Sequence, residues 1–437
     1  MKIRSLLLGS VALAGLSTAG YAADLGVVTS LDVCDELGLS GLTISSDDNC
    51  LVITGKVSFE YDWGDYTPGR VYGDFASVAN DNNYNVLDPT TPLDSNHGDV
   101  DAWLKFVGTA NSDFGPAKAV IKLISENGVG TVDQTVGIDE AWVGIGDTTM
   151  LMAGYKSSVF NKGDDAPLNY LGLFNSNAVN SGVSWKTSGA ATGGDVIQIT
   201  SNLGNGVSVS GGLENLNGSF GTMTGVGVLA YAGDGITAHV SAAVGSSKNF
   251  GIPPGSGKLG WKVHAGFTGA WDPIKVVAAV ATDDTGYYNA LGSVAATFDM
   301  FTLAASGEVA SDGYGVGGSA SAKVTDSVTI NLGGKFWHHT PYAGAESTLN
   351  DKAAAYNLWR VEAGLSAGVT ESITLTAAAG YESSTAAGGT NLNGTSDFYG
   401  TAGVAWAPGG GFTSSSSLTV NSLGGYKAVF KAAKEIK

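Results

Sequence analysis

Two adjacent carboxylates, Asp164 and Asp165, stand early in a stretch that lacks strand-like alternation, Asn161–Phe174. The same stretch carries Leu168, Tyr170, Leu171, Leu173 and Phe174, apolar groups that need a surface to pack on. Five lysines, Lys56, Lys105, Lys118, Lys122 and Lys156, recur on one parity of the segments that precede it. Fixed charges of opposite sign across an aqueous gap orient dipolar solutes and sort ions by charge.

Other chemistry is thinly represented. The chain has 5 histidines, and the only adjacent pair, His338-His339, would point to opposite faces of a strand and could not easily share a metal. There is no Ser/His/Asp constellation at a recognisable spacing, no phosphate loop and no dinucleotide fingerprint, so neither an enzyme nor a cofactor is expected. The Gly-Asp pieces form no tandem nonapeptides, and no metal site is expected. Cys34 and Cys50 are the only cysteines, and an even count in an oxidising compartment favours one disulfide over two unpaired thiols.

Strands must hold those charges in place. In the run Leu51 to Trp63, one face carries Leu51, Ile53, Gly55, Val57, Phe59, Tyr61 and Trp63. The other carries Val52, Thr54, Lys56, Ser58, Glu60 and Asp62. This is the period of two of a strand with unlike faces. Val100–Ala110 and Ala117–Glu126 repeat it, and marking every such segment gives about twenty candidates. Tight turns such as Gly146–Thr149 and Ala232–Gly235 alternate with long polar loops such as Gly64–Asp99 and Asn161–Ser181. Short turns on one rim and long loops on the other, with small polar residues on one face of each strand, describe a closed transmembrane barrel. Trp271 and Trp406 abut tight turns while Trp63 and Trp337 abut long loops, as two interfacial girdles require. Trp103, Trp142 and Trp185 are candidates for an aromatic sugar path along the lumen.

Composition agrees. Over 437 residues, 22 Lys+Arg against 40 Asp+Glu give a net charge of −18, and charged residues make up 14%. That charge content is well below the roughly 25% of soluble domains. The acidic balance argues against nucleic-acid binding, which needs a basic face. Lys2 and Arg4, the apolar stretch Leu6–Leu16 and the small residues of Gly20-Tyr21-Ala22 read as a secretory signal over residues 1–22. The expected organisation is then an N-terminal segment, 23–50, with the two cysteines, and a β-barrel over 51–437. The first loop holds Asp65, Asp74, Asp81, Asp88, Asp94 and Asp99 against Arg70. It reads as a solvated acidic loop, or as oxygen ligands sharing divalent cations with lipopolysaccharide.

Two blocks carry a family resemblance. Val33-Cys34-Asp35, followed by Cys50-Leu51-Val52-Ile53-Thr54-Gly55-Lys56-Val57, resembles the cysteine-flanked lead into the first strand of alphaproteobacterial (rhizobial-type) outer-membrane porins. Glu140-Ala141-Trp142-Val143-Gly144, followed by Gly154–Phe160, resembles the strand pair leading into their constriction loop. Two features depart from that family. Tyr155 stands where it usually has Arg, and the chain ends on Lys437 rather than on an aromatic, so that either Phe430 closes the last strand or the assembly signal is atypical. The resemblance implies an all-β, antiparallel barrel, sixteen-stranded in the family, that forms a homotrimer in the bacterial outer membrane. Together with the count of candidate segments it gives 16 to 20 strands, short periplasmic turns, long extracellular loops and a third loop folded inward. The implied function is a water-filled channel for small hydrophilic solutes, in contact with outer-membrane lipid and lipopolysaccharide. Asp164 and Asp165 would then form the acidic side of the constriction, with Lys56, Lys105, Lys118, Lys122 and Lys156 opposite. Adhesion by a surface-exposed barrel, or a sugar-selective channel, are the alternatives.

Overall fold

The structure, a computed structural model, describes residues 33–34, 37–39, 41–46, 48–65, 94–126, 135–160, 166–174, 192–217, 223–246, 259–340, 355–386, 396–422 and 425–437. The proposed signal segment, Asp164, Asp165, Trp185 and, in the first loop, Arg70, Asp74, Asp81 and Asp88 lie outside these residues.

The strands are β1 (Leu42–Ser45), β2 (Asn49–Asp65), β3 (Asp94–Ala110), β4 (Ala117–Glu126), β5 (Thr135–Gly146), β6 (Thr149–Lys156), β7 (Gly194–Gly204), β8 (Val207–Glu214), β9 (Thr224–Gly233), β10 (Ile236–Ser246) and β11 (Leu259–Trp271). They continue as β12 (Ile274–Asp283), β13 (Tyr288–Phe298), β14 (Phe301–Ala310), β15 (Gly313–Thr325), β16 (Val328–His339), β17 (Tyr356–Gly368), β18 (Ile373–Ala386), β19 (Ser396–Gly409), β20 (Phe412–Asn421) and β21 (Tyr426–Ile436). From β2 onward each strand pairs antiparallel with its neighbours in sequence, and β21 pairs back onto β2, Gly55–Asp65 against Tyr426–Ile436. The result is a closed barrel of twenty full-length strands, β2–β21, four more than the resembled family has. Closure satisfies every ladder and leaves no edge in the membrane.

The alternation read in the sequence decides which residues face lipid. Val57, Phe59, Leu104, Ile121, Val143, Leu151, Ile197, Leu229 and Val240 are exposed on the outer surface. Their sequence neighbours Lys56, Lys105, Val120, Met152, Gln198, Val228 and His239 turn to the concave side. Trp63, Trp271 and Trp406 are exposed on the outside as girdle residues should be. Trp337 corrects the expectation: it shares the inward parity of Lys335 and His339 and is buried against Phe174. Proximity to a loop places a residue at the right height but says nothing about its face.

The seam is covered at both levels. β1 pairs with Cys50–Ile53 on the flank of β2 that β21 occupies from Gly55 onward, so β1 and β21 together line one edge of β2. The β21 ladder runs through Phe430 to Ile436, so the residues after Phe430 belong to the closing strand and form no tail. Cys34 and Cys50 form a disulfide with a sequence separation of 16, which ties the N-terminal segment to the start of β2. Intact mass after alkylation of unreduced native protein should therefore show no added label. Closing a loop of this length is worth up to about 3 kcal/mol by the chain-entropy model, so Cys34→Ser with Cys50→Ser should lower the resistance of this end to urea by that order.

Candidate functional site

The chain leaves β6 at Lys156, enters the barrel and returns to β7 at Gly194. Its described parts lie flat on the inner wall. Val159 and Phe160 pack on Val226 and Val228 of β9 and Ala243 of β10. Leu173 is fully buried against Ala279, Ala281 and Leu291 on β12 and β13. Phe174 packs with Tyr287, Ala310, Trp337, Leu358 and Tyr399, and the Lys335 ammonium sits 4.4 Å from its ring centre. The backbone is held as well: Leu168 N donates to Ser293 Oγ at 2.9 Å and Tyr170 N to Ser319 Oγ at 3.0 Å. A nine-residue segment, 166–174, that touches β12, β13, β15, β16 and β17 can do so only on the concave face. The third loop is folded inward, as expected from its apolar content.

Three glycines on successive strands make the trough for it. A Cβ at Gly317 would come within 2.7 Å of Asn169 Nδ2, and one at Gly333 within 2.9 Å of Leu171 Cγ. A Cβ at Gly364 would overlap the Tyr170 hydroxyl. Glycine inside a strand marks close approach of another part of the chain, and here the visitor is the loop.

The tip is latched to a charged cluster. Tyr170 Oη donates to Glu362 Oε1 at 2.7 Å. Glu362 Oε2 accepts from Arg360 Nη2 at 2.6 Å and from the Tyr399 hydroxyl. Arg360 Nε lies 2.6 Å from Tyr399 Oη and 3.2 Å from Glu382 Oε1, and Glu382 is fully buried. Burial and then the neighbouring Glu362 carboxylate push the Tyr170 phenol well above its ordinary value, so it stays a donor.

On the remaining arc, charges of both signs alternate. Lys431 pairs with Glu60 at 2.8 Å and Lys427 with Asp62 at 2.7 Å between β21 and β2. Lys105 pairs with Glu140 at 3.1 Å and Lys122 with Asp139 at 2.6 Å among β3, β4 and β5. Asp139 and Glu140 are consecutive, and a strand would normally send them to opposite faces. A bulge, where Lys122 opposes Glu140 and Leu123 opposes Ile138, lets both serve lysines inside the barrel.

Each expected lysine is therefore on the inner wall, with differing company. Lys56 is buried directly across the register from Glu435. Lys118 sits opposite Gly144, and Lys156 lies 5.2 Å from the Trp142 ring centre. Lys122 also lies 5.4 Å from the Trp103 ring centre, so both inward indoles expected for a sugar path already carry an ammonium on a face. His338 bonds Asn357 on the outside while His339 stacks on Tyr356 within, so the pair is split between faces. Spacing along the chain could not reveal His239 and His264, whose ring nitrogens meet at 2.9 Å across strands. Among the described residues no group of three or more His, Cys, Asp or Glu could hold a metal.

No protein-family model matches the chain, and no curated protein matches it in sequence. Among solved structures, a loop-deletion mutant of OmpT, an outer membrane protein of Vibrio cholerae, is similar over 89% of this chain and 100% of its own, at 9% identity and a TM-score of 0.43. An engineered mutant of the Rh. blastica porin is similar over 88% of this chain and 99% of its own, at 12% identity and a TM-score of 0.39. The fold assignment rests on the strand pairing and not on these likenesses.

Proposed function

We propose that this protein is a bacterial outer-membrane porin, a water-filled channel for passive diffusion of ions and small hydrophilic solutes. The observation that carries the reading is the ladder of partly exposed ion pairs on the concave side, set against an apolar outer surface. The Lys105–Glu140 side chains keep 32% and 22% of their surface exposed, and Lys431–Glu60 keep 37% and 22%. Charges held inside a dry barrel would carry a large desolvation cost, so this ladder calls for water in the lumen. The same reading includes kinship to the alphaproteobacterial porins and assembly as a homotrimer. Its support is the cysteine-flanked lead into β2, the block before the inward loop and the docking of that loop. Asp164 and Asp165 remain the proposed acidic side of the constriction.

The test is planar-bilayer conductance of purified protein with uncharged solutes of graded size. Stepwise channels that close to larger solutes support the proposal, and a protein that folds but conducts nothing overturns it. In a KCl gradient the excess of acid over base should give a cation-to-anion permeability ratio of about 2 to 5 at low salt, shrinking toward 1 as screening grows. A reversal potential of the opposite sign would place the lysines, not the acids, in control of the lumen. Native mass of the detergent-extracted complex tests the trimer.

A further inference from the structure

One buried acid gathers both legs of the inward loop. Glu214 ends β8 and is fully buried. Its Oε1 accepts from Val159 N at 3.2 Å, on the leg that enters the lumen. Its Oε2 accepts from Gly193 N at 2.7 Å, on the leg that returns. Gln198 Nε2 donates to Glu214 Oε1 at 2.9 Å and to Ser157 O at 3.1 Å, adding β7 to the same node. Just past β8, Asn215 N donates to Gly193 O on the returning leg and Leu216 N to Asp195 O at the start of β7, both at 2.9 Å. The legs themselves touch: a Cβ on Gly193 would lie 3.1 Å from Ser158 N and from Lys156 O, and its φ of +84° suits glycine.

The chemistry explains why an acid stands here. Where the chain leaves the ladder of β6 and rejoins it at β7, its amides lose their strand partners and need acceptors. A carboxylate has acceptors only and can take several donors at once, with charge-assisted bonds; a glutamine would turn an amide group toward one of them. The bonds from Val159 N and Gly193 N to Glu214 lie outside the barrel ladder, so these two hold the loop rather than the wall.

We infer that Glu214 is the positioning residue for the aperture: it closes the two legs into one hoop and so fixes how far the loop stands from the wall. This extends the channel reading and needs it only for the electrical part of the test. Ala281→Cys supplies a probe, because Ala281 on β12 is fully buried beneath Leu173 of the loop and the two native cysteines are bonded to each other. Adding Glu214→Ala should raise the labelling rate by a small charged methanethiosulfonate at least about ten-fold, through local opening of the loop. Glu214→Gln should fall between the two and Glu214→Asp should restore part of the protection. The heat-induced shift of the barrel on gels should not move. In bilayers the same variants should show current flicker and a broadened conductance distribution. Equal labelling in folded Glu214→Ala and its parent overturns the inference. Faster labelling with no conductance in any form would uphold the hoop and sink the channel. Should neither Glu214→Ala nor Glu214→Gln fold, hydrogen exchange in the wild type decides. Val159 and Gly193 amides protected like strand amides uphold the inference, and rapid exchange at either overturns it.

Discussion

Replacing residues 168–174 with a short Gly/Ser linker is expected to raise single-channel conductance about two-fold or more and to admit larger uncharged solutes, because the loop occupies lumen cross-section. The segment is held by an apolar grip at its end, Leu173 and Phe174, and by the Tyr170 phenol on Glu362. Removing the segment should uncover the Gly317, Gly333 and Gly364 trough and leave all twenty strands untouched. Truncating the grip alone should work in the same direction. Leu173→Ala and Phe174→Ala each remove a buried side chain at a cost of roughly 2–5 kcal/mol, enough to loosen this end of the loop while its Ser293, Ser319 and Glu214 anchors remain. The readouts are conductance and the size cut-off for uncharged polymers, with folding checked by heat-induced migration. Unchanged values in the folded linker variant would put this segment outside the permeation path.

Arg360→Ala is expected to be the most damaging single substitution in the wall. Arg360 is nearly buried and stands between Glu362 and Glu382. Truncating it leaves two carboxylates close together without their cation, and breaking such a buried pair costs roughly 3–5 kcal/mol. The loop would suffer too, because Glu362 holds the Tyr170 phenol. Unfolding rates in urea after reconstitution should rise steeply, and cation preference should increase wherever folded channels form. Arg360→Met combined with Glu362→Gln and Glu382→Gln should recover most of the lost stability, since neutral neighbours remove the repulsion. A triple variant no better than Arg360→Ala would show that the directed hydrogen bonds of the guanidinium to Glu362 and Tyr399, rather than relief of repulsion or bulk, hold the site.

The barrel was legible in the sequence because its solvent differs on the two sides of every strand. Lipid selects Val57, Phe59 and Leu104 on one parity, and water tolerates Lys56, Ser58 and Lys105 on the other. The number of strands followed from the alternating segments, while the family resemblance pulled it down toward sixteen. The inward loop was legible from Leu168 to Phe174, which have no reason to be apolar on an exterior surface. Trp337 was misassigned because its position next to a loop was read without its parity. The Glu214 node was invisible because its donors at Val159 and Gly193 are backbone groups, identical in every residue but proline. The use of Asp139 beside Glu140 depended on a bulge, which alternation alone does not encode. The pairing of His239 with His264 depended on register across strands, which a single sequence does not specify.

The seam also constrains how the protein forms. β21 lies C-terminal to every other strand, yet its partners are β20 and β2, from nearly opposite ends of the barrel sequence. Hairpins such as β13–β14 can nucleate locally, but the ring cannot exist until Tyr426–Ile436 find Gly55–Asp65. Contacts at such separation must meet their loop-closure entropy before any return, which makes closure late and slow. Until then β2 and β20 present unpaired edges, so the unfinished sheet is open to pairing with another chain. A partner that shields open strand edges during insertion would protect the protein at the stage when it is most vulnerable.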